Sequence, residues 1–306
     1  MKDIVKILIC AWIITSSVLF ANASEEANIK SLPEKPIVII VPSYNNVKWY
    51  RANLYSLFFQ DYSNFRIIYI DDNSPDNTGD YVEEYLITNQ IDYRLVEFDD
   101  QEGGYEEAML AFAEEVNLNE EFFILVRNKN RCGALENIVR AVHSCHDDEI
   151  VATVDGDDWL FGDQVLKTLN AAYENNVWLT HGTLIHYPTN KLGWSEAVPP
   201  KFILRNTFRE YKCPSHLRTF YAWLFKLIKL DDLRYQDQFF PMSWDMAMMF
   251  PMIEMAGERH AFIPTVTYCY NIANQINDNK VNPQLQNNLD HYIRNMPPYK
   301  RLDGRS

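Results

Sequence analysis

Residues 37–46 read IVIIVPSYNN. An unbroken β-branched run, Ile37 to Val41, has no wet face to alternate with a dry one, so it predicts a strand buried on both sides and closed by Pro42. Strands of that kind belong to parallel sheets, and the neighbouring sequence fits one. A helix is predicted over about 47–60, with Leu54, Leu57 and Phe58 on one side, then a second buried strand FRIIYI (Phe65–Ile70). A helix over about 76–88 and a third strand YRLVEF (Tyr93–Phe98) follow. Farther on come FFILV (Phe122–Val126) and a helix from Gly133 to His143 with Leu135, Ile138, Val139 and Val142 at helical spacing. The strand IVATV then ends at Val154. Strands alternating with helices imply right-handed crossovers and an α/β domain, a mostly parallel central sheet flanked by helices. The acidic stretch 99–121 reads as an insertion with a solvated face.

With 306 residues, 47% hydrophobic and 14% aromatic, the chain has material for a full core. Its formal net charge of −14 argues against a protein that grips nucleic acid, because that affinity comes from lysine and arginine. An anionic ligand would need a local cation. Lys2 and Lys6, the uncharged apolar run Ile7–Phe20 and the Ala21-Asn22-Ala23 site read as a secretory leader over 1–23, which predicts export. The alternative is a retained membrane anchor at residues 7–20. A polar linker, 24–35, precedes one domain, 36–306, with a first half to 160 and a second half rich in Trp, Phe, Tyr and Met that would form the other wall of a cleft. Cys132, Cys145, Cys213 and Cys269 are widely spaced without a C-x-x-C pair, so small buried thiols are expected rather than a zinc site.

Ligands of open parallel sheets bind outside the carboxyl ends of the strands. Three polar clusters fall there: Pro42-Ser43-Tyr44-Asn45-Asn46, Asp71-Asp72-Asn73-Ser74, and Asp155-Gly156-Asp157-Asp158. Tyr44 offers a ring face to a base, Asp72 an acceptor for a base N–H, and the last cluster oxygen ligands for a hard divalent cation. Three carboxylates in four residues repel one another, so a cation is expected among them. Together these residues outline a pocket for a nucleotide with a metal on its phosphates.

VPSYNN, IIYIDDNSPDNT, RNKNRCGALENI and VDGDDWL, in that order and spacing, resemble the inverting family-two glycosyltransferases of the GT-A fold over about residues 36–160. The resemblance implies a Rossmann-like nucleotide-diphospho-sugar domain whose D-x-D motif holds Mn²⁺ or Mg²⁺. It places Pro42 and Tyr44 beside the base, Asp72 with its neighbour Asn73 on the nucleotide, and Gly133 near the ribose and diphosphate. Asp155 and Asp157 match the metal acids, with Asp158 a direct ligand or a partner behind them. PMSWDMAMMFPMIEMAG resembles the acceptor-side stretch where an acid opens a helix, which makes Asp245 the candidate base. His216, Arg218 and Lys280 are candidate contacts to diphosphate or acceptor. The implied partners are a nucleotide-sugar donor, a UDP-sugar by preference, and a carbohydrate, lipid or protein acceptor. The Gln/Arg-x-x-Arg-Trp motif of processive synthases is absent from the sequence, which favours transfer of single sugars.

Each cluster also has a plainer reading. Asp71–Ser74 could cap the next helix, Asp245 could be an N-cap, and His216 could be a satisfied buried histidine. The Met246–Met255 run reads as helix core. A calcium loop counted from Asp72 fails, because Asn77 stands at the sixth place, which needs glycine. A non-catalytic sugar or nucleotide-sugar binding protein on the same fold is the first alternative. A sugar nucleotidyltransferase is the second, though Ser43–Asn46 is neither glycine-rich nor basic.

Overall fold

The computed structural model describes residues 32–99, 105–117 and 121–305. The leader and most of the linker expected at 1–35 lie outside the described residues. Among the described residues no helix is long and apolar enough to cross a membrane.

The first half runs β1 (Ile37–Ser43), α1 (Tyr50–Phe58), β2 (Phe65–Asp71), α2 (Thr78–Thr88), β3 (Arg94–Phe98), α3 (Tyr105–Asn117), β4 (Phe123–Asn128), α4 (Ala134–Ser144) and β5 (Ile150–Thr153). The second half contains β6 (Trp159–Leu160), α5 (Val165–Ala172), β7 (Leu179–Tyr187), β8 (Lys191–Leu192), α6 (Pro200–Arg205), β9 (Arg218–Tyr221) and α7 (Ala222–Lys226). It closes with β10 (Arg234–Tyr235), β11 (Gln238–Phe239), α8 (Trp244–Ala256), β12 (His260–Asn271), α9 (Asp278–Val281) and α10 (Pro283–Asn295). One sheet in the order β3-β4-β2-β1-β5-β9-β7-β12-β6 crosses both halves, with β8 paired to β7. The strands from β3 to β5 are all parallel, and β9 enters antiparallel to both β5 and β7.

Every residue of β1 is buried, as the unbroken run demands. Val38 and Ile40 face one core with α4 and α8, whereas Ile37, Ile39 and Val41 face another with α1 and α5, which makes three layers. Pro42 does not end β1: it pairs with Ile70 of β2 and its carbonyl accepts from Gly156 N–H at 3.1 Å, beyond the end of β5. The missing proline N–H costs nothing where no neighbour needs it. In α8 every residue from Met246 to Ala256 is buried, apolar except for Glu254, which pairs with Arg209 at 2.6 Å.

The stretch 99–121 is not merely a solvated face. Its helix α3 buries Phe112 and Val116 and packs Phe112 edge-on against Phe98. The acids line the outer side, and the inner side belongs to the core. Among the described residues Cys132, Cys145, Cys213 and Cys269 form no disulfide, with Cys132 half-buried and the other three buried.

Candidate active site

Chain order moves outward from β1 to β2 and β4, then returns to β5 on the other side of β1. A crevice opens at such a switch point. Pro42, Tyr44, Asp72, Gly133, Asp155 and Asp157 line one cleft there, and His216, Arg218 and Asp245 line the same cleft from the second half. Its volume is about 1110 Å³, beyond the roughly 300–1,000 Å³ of a single small-molecule pocket.

Asp72 does not cap the following helix. Its carboxylate reaches across the sheet and accepts from Cys132 N–H at 2.9 Å, Gly133 N–H at 2.8 Å and Asn128 Nδ2 at 2.9 Å. This anchors the entry to α4, where Gly133 sits at φ 93°, a conformation that favours glycine. Asn73 is exposed and donates to the Lys129 carbonyl at 3.0 Å, so it tethers the loop. The Arg131 guanidinium lies 3.7 Å from the centre of the Tyr44 ring. One face of Tyr44 is therefore covered by a cation that the sequence reading did not single out, although it stands two residues before Gly133.

The acidic loop is built tightly. Gly156 sits where an added Cβ would lie 2.5 Å from Ser43 Oγ and 2.6 Å from Asn46 Nδ2. Asp155 receives a hydrogen bond from His216 Nε2 to Oδ2 at 3.2 Å. Burial would raise its carboxyl, but the His216 bond and the charges of His216 and Arg218 hold it below the ordinary value. Asp157 goes the other way: burial and then the Asp155 charge push it up to about 6, although Asn274 Nδ2 donates to it at 2.7 Å. Asp158 is raised by burial and by both neighbours, and stands behind the cleft wall, 1% exposed, accepting from Asn271 N–H at 2.7 Å.

Oxygens of Asp155 and Asp158 and a ring nitrogen of His216 lie within 4.8 Å of one another. Burial and then the neighbouring acids raise Asp158 in this cluster and Asp157 beside it, which fits a divalent cation that would replace protons as the neutralising charge. His216 joins this set only through folding, since the Arg218 strand returns beside β5 and brings the histidine 61 positions along the chain to Asp155. Burial and then the Arg218 charge lower its pKa. With Nε2–H donated to the carboxylate, Nδ1 faces Arg218 Nη2 at 3.5 Å.

Arg218 in turn donates from Nη2 to Asp245 Oδ2 at 3.1 Å. Asp245 lies in the first turn of α8 rather than at its cap, which is Ser243. The chain Asp155, His216, Arg218, Asp245 thus connects the acidic loop to the second wall. Lys280 is placed differently from the expectation that it faces phosphates. Its Nζ donates to the Ile272 and Asn274 carbonyls at 2.7 and 2.6 Å, which braces the turn that carries Asn274.

Residues 38–119 match the family described as Glycosyl transferase family 2. No curated protein matches the sequence. Among solved structures, S. aureus TarS 1-349 is similar with a TM-score of 0.54 at 18% identity, over 77% of this chain and 60% of that one. S. aureus TarS gives 0.52 at 19% over 78% and 37%, and TarS 1-349 in complex with UDP gives 0.50 at 17% over 78% and 60%. These likenesses show the GT-A fold, and this chain spans only part of the length of each. The matched segment contains Tyr44 and Asp72. The acidic loop, His216, Arg218 and Asp245 lie beyond it.

Proposed function

We propose that the protein transfers a sugar from a nucleotide-diphosphate sugar to an acceptor hydroxyl, with inversion and with the help of a divalent cation. The observation that supports this reading is the hydrogen-bonded chain from Asp155 through His216 and Arg218 to Asp245 in one cleft, which would join a cation site to a carboxylate base. A cation there, Mn²⁺ or Mg²⁺, would be held by the cleft-lining Asp155 and Asp157, with Asp158 and His216 beside them, and would offset the charge that develops on the departing diphosphate.

The base-side wall, Tyr44 with Arg131 and the Asp72-anchored turn at Gly133, receives the nucleotide. Asp245 takes the proton of the acceptor hydroxyl as that oxygen bonds to the anomeric carbon and the bond to the diphosphate oxygen breaks from the opposite face. A positioned base contributes about 10²–10⁴ in rate. Arg218 orients Asp245 through the Nη2 to Oδ2 hydrogen bond. The TarS 1-349 structure with UDP makes UDP the first nucleotide to try. The leader expectation would put this chemistry outside the cytoplasm, or on a membrane if residues 7–20 are retained.

The test is the melting temperature of the full chain with UDP, GDP or dTDP, each with and without Mn²⁺. A ligand at a hundred times its Kd adds about 2.7 kcal/mol. A rise that needs one nucleotide and the metal together, and that Asp157→Ala abolishes, supports the reading. No rise with any pair overturns it, and a rise without any transfer or hydrolysis of the sugar nucleotide would favour a binding protein.

A further inference from the structure

If the nucleotide occupies the wall built from Tyr44, Asp72 and Gly133, and the diphosphate lies against the acidic loop, the attacking hydroxyl must arrive from the far side of that loop. There the cleft is walled by β7, β12 and the turn after β8. Trp194 lines this cleft with 51% of its surface exposed, and His186 and Tyr270 line it as well. The two latter rings meet edge to face at 6.0 Å, and Tyr270 lies 5.5 Å from the His216 ring that bonds Asp155.

The backbone on either side of the exposed indole is tied down. Gly193 N–H donates to the Leu184 carbonyl at 2.8 Å, and an added Cβ at Gly193 would come within 2.4 Å of Leu184 Cδ1. Two residues beyond Trp194, the Glu196 carbonyl is hydrogen-bonded to buried His181 Nε2 at 3.1 Å, and its carboxylate pairs with Lys212 at 2.8 Å. A tryptophan in a cleft that polar aromatic and hydrogen-bonding side chains also line suits a ligand with an apolar face and a polar edge. Sugar rings have both: axial C–H groups on the face and hydroxyls around the edge. A lipid chain would leave His186 and the Tyr270 hydroxyl without partners, a cost that a purely apolar ligand cannot offset.

Building on the transferase reading, we propose that the acceptor is a carbohydrate and that Trp194 is the platform on which the acceptor sugar stacks, with Tyr270 and His186 completing the subsite. The placement brings an acceptor hydroxyl between the acidic loop and Asp245, where the reaction requires it.

The experiment uses the full chain with UDP and Mn²⁺ at saturation and reads saturation-transfer NMR for gluco-, galacto- and N-acetylglucosamine oligosaccharides, with phosphatidylglycerol vesicles as a separate arm. At least one oligosaccharide should bind saturably, about tenfold more weakly in Trp194→Ala and closer to wild type in Trp194→Phe, while the melting shift from UDP and Mn²⁺ is the same in all three. Binding unaffected by Trp194→Ala, or vesicle binding without any sugar binding, overturns the acceptor assignment and leaves the donor reading standing. Absence of the UDP and Mn²⁺ shift in the wild type overturns the donor reading, and the acceptor assignment falls with it.

Discussion

The Arg218 guanidinium, 3% exposed, donates to Asp245 at 3.1 Å and is the bridge between the acidic loop and the carboxylate on the opposite wall. Its Nε and Nη1 are buried without partners, so Asp245 supplies most of the compensation for a charge held away from water. Asp245→Asn should therefore act twice. Transfer should fall by about 10²–10⁴ with donor binding intact. Stability should fall by about 1–2 kcal/mol, at the low end for a broken pair because Asp245 keeps 30% of its side chain exposed. Steady-state rates and urea unfolding measure both, and an unchanged rate would remove Asp245 from the chemistry.

Asp157→Asn should separate stability from function. Like charges and burial push Asp157 up to about 6, so without metal its ionisation is a liability above that pH. The folded form binds the proton more tightly than the unfolded chain, and this contribution to stability is lost as pH rises from about 4 through 6. The amide should leave the metal-free protein as stable at pH 7.5 or more stable by about 1–3 kcal/mol. It should also abolish the response to Mn²⁺. Melting curves with and without the ion decide it; loss of stability in the metal-free variant would contradict the repulsion argument.

Gly156→Ala introduces a Cβ against Ser43 Oγ and Asn46 Nδ2. These atoms cannot simply swing away: Asn46 Nδ2 donates to Ser43 Oγ at 3.0 Å and the Tyr69 hydroxyl donates to the same oxygen at 2.9 Å. Overpacking of this kind costs about 1–3 kcal/mol. Because the strain falls between Asp155 and Asp157, nucleotide-dependent Mn²⁺ binding should weaken as well, which calorimetric titration would read.

His181 supplies a pH signature remote from the acidic loop. Burial, reinforced by nearby His260 and partly offset by the Glu196 carbonyl, pushes it down to about 4. The unfolded chain then binds the proton first, so stability present above about 6.5 is lost as pH falls toward 4, by about 2–3 kcal/mol in all. His260 shifts in the same direction, for the same first reason. Comparing urea midpoints at pH 7 and pH 5, the difference should be smaller in His181→Gln than in the wild type; an equal difference would exclude His181 as the acid-sensitive group.

Much of this protein was legible as local pattern. The Ile37–Val41 run could only be a doubly buried strand, the β–α alternation could only close as a parallel sheet, and acids placed directly after the strand Ile150–Thr153 had to emerge at its carboxyl end. Each follows from the chain's own periodicity and from repulsion between neighbours in sequence. What the pattern could not carry was partnership over distance. Asp72 was readable as a polar strand end, but its saturation by the Cys132 and Gly133 N–H groups depends on β2 and β4 lying side by side. Phe112 and Val116 were hidden in an acidic stretch whose inner face shows only once α3 packs on Phe98. Lys280 carried the right charge for a phosphate, and the fold directs it to two carbonyls of its own turn. Sequence determined which strand ends would be polar. Tertiary structure alone decided that antiparallel β9 would lay His216 on Asp155 and Arg218 under Asp245, because register between strands far apart in the chain is settled by packing and not by neighbouring residues.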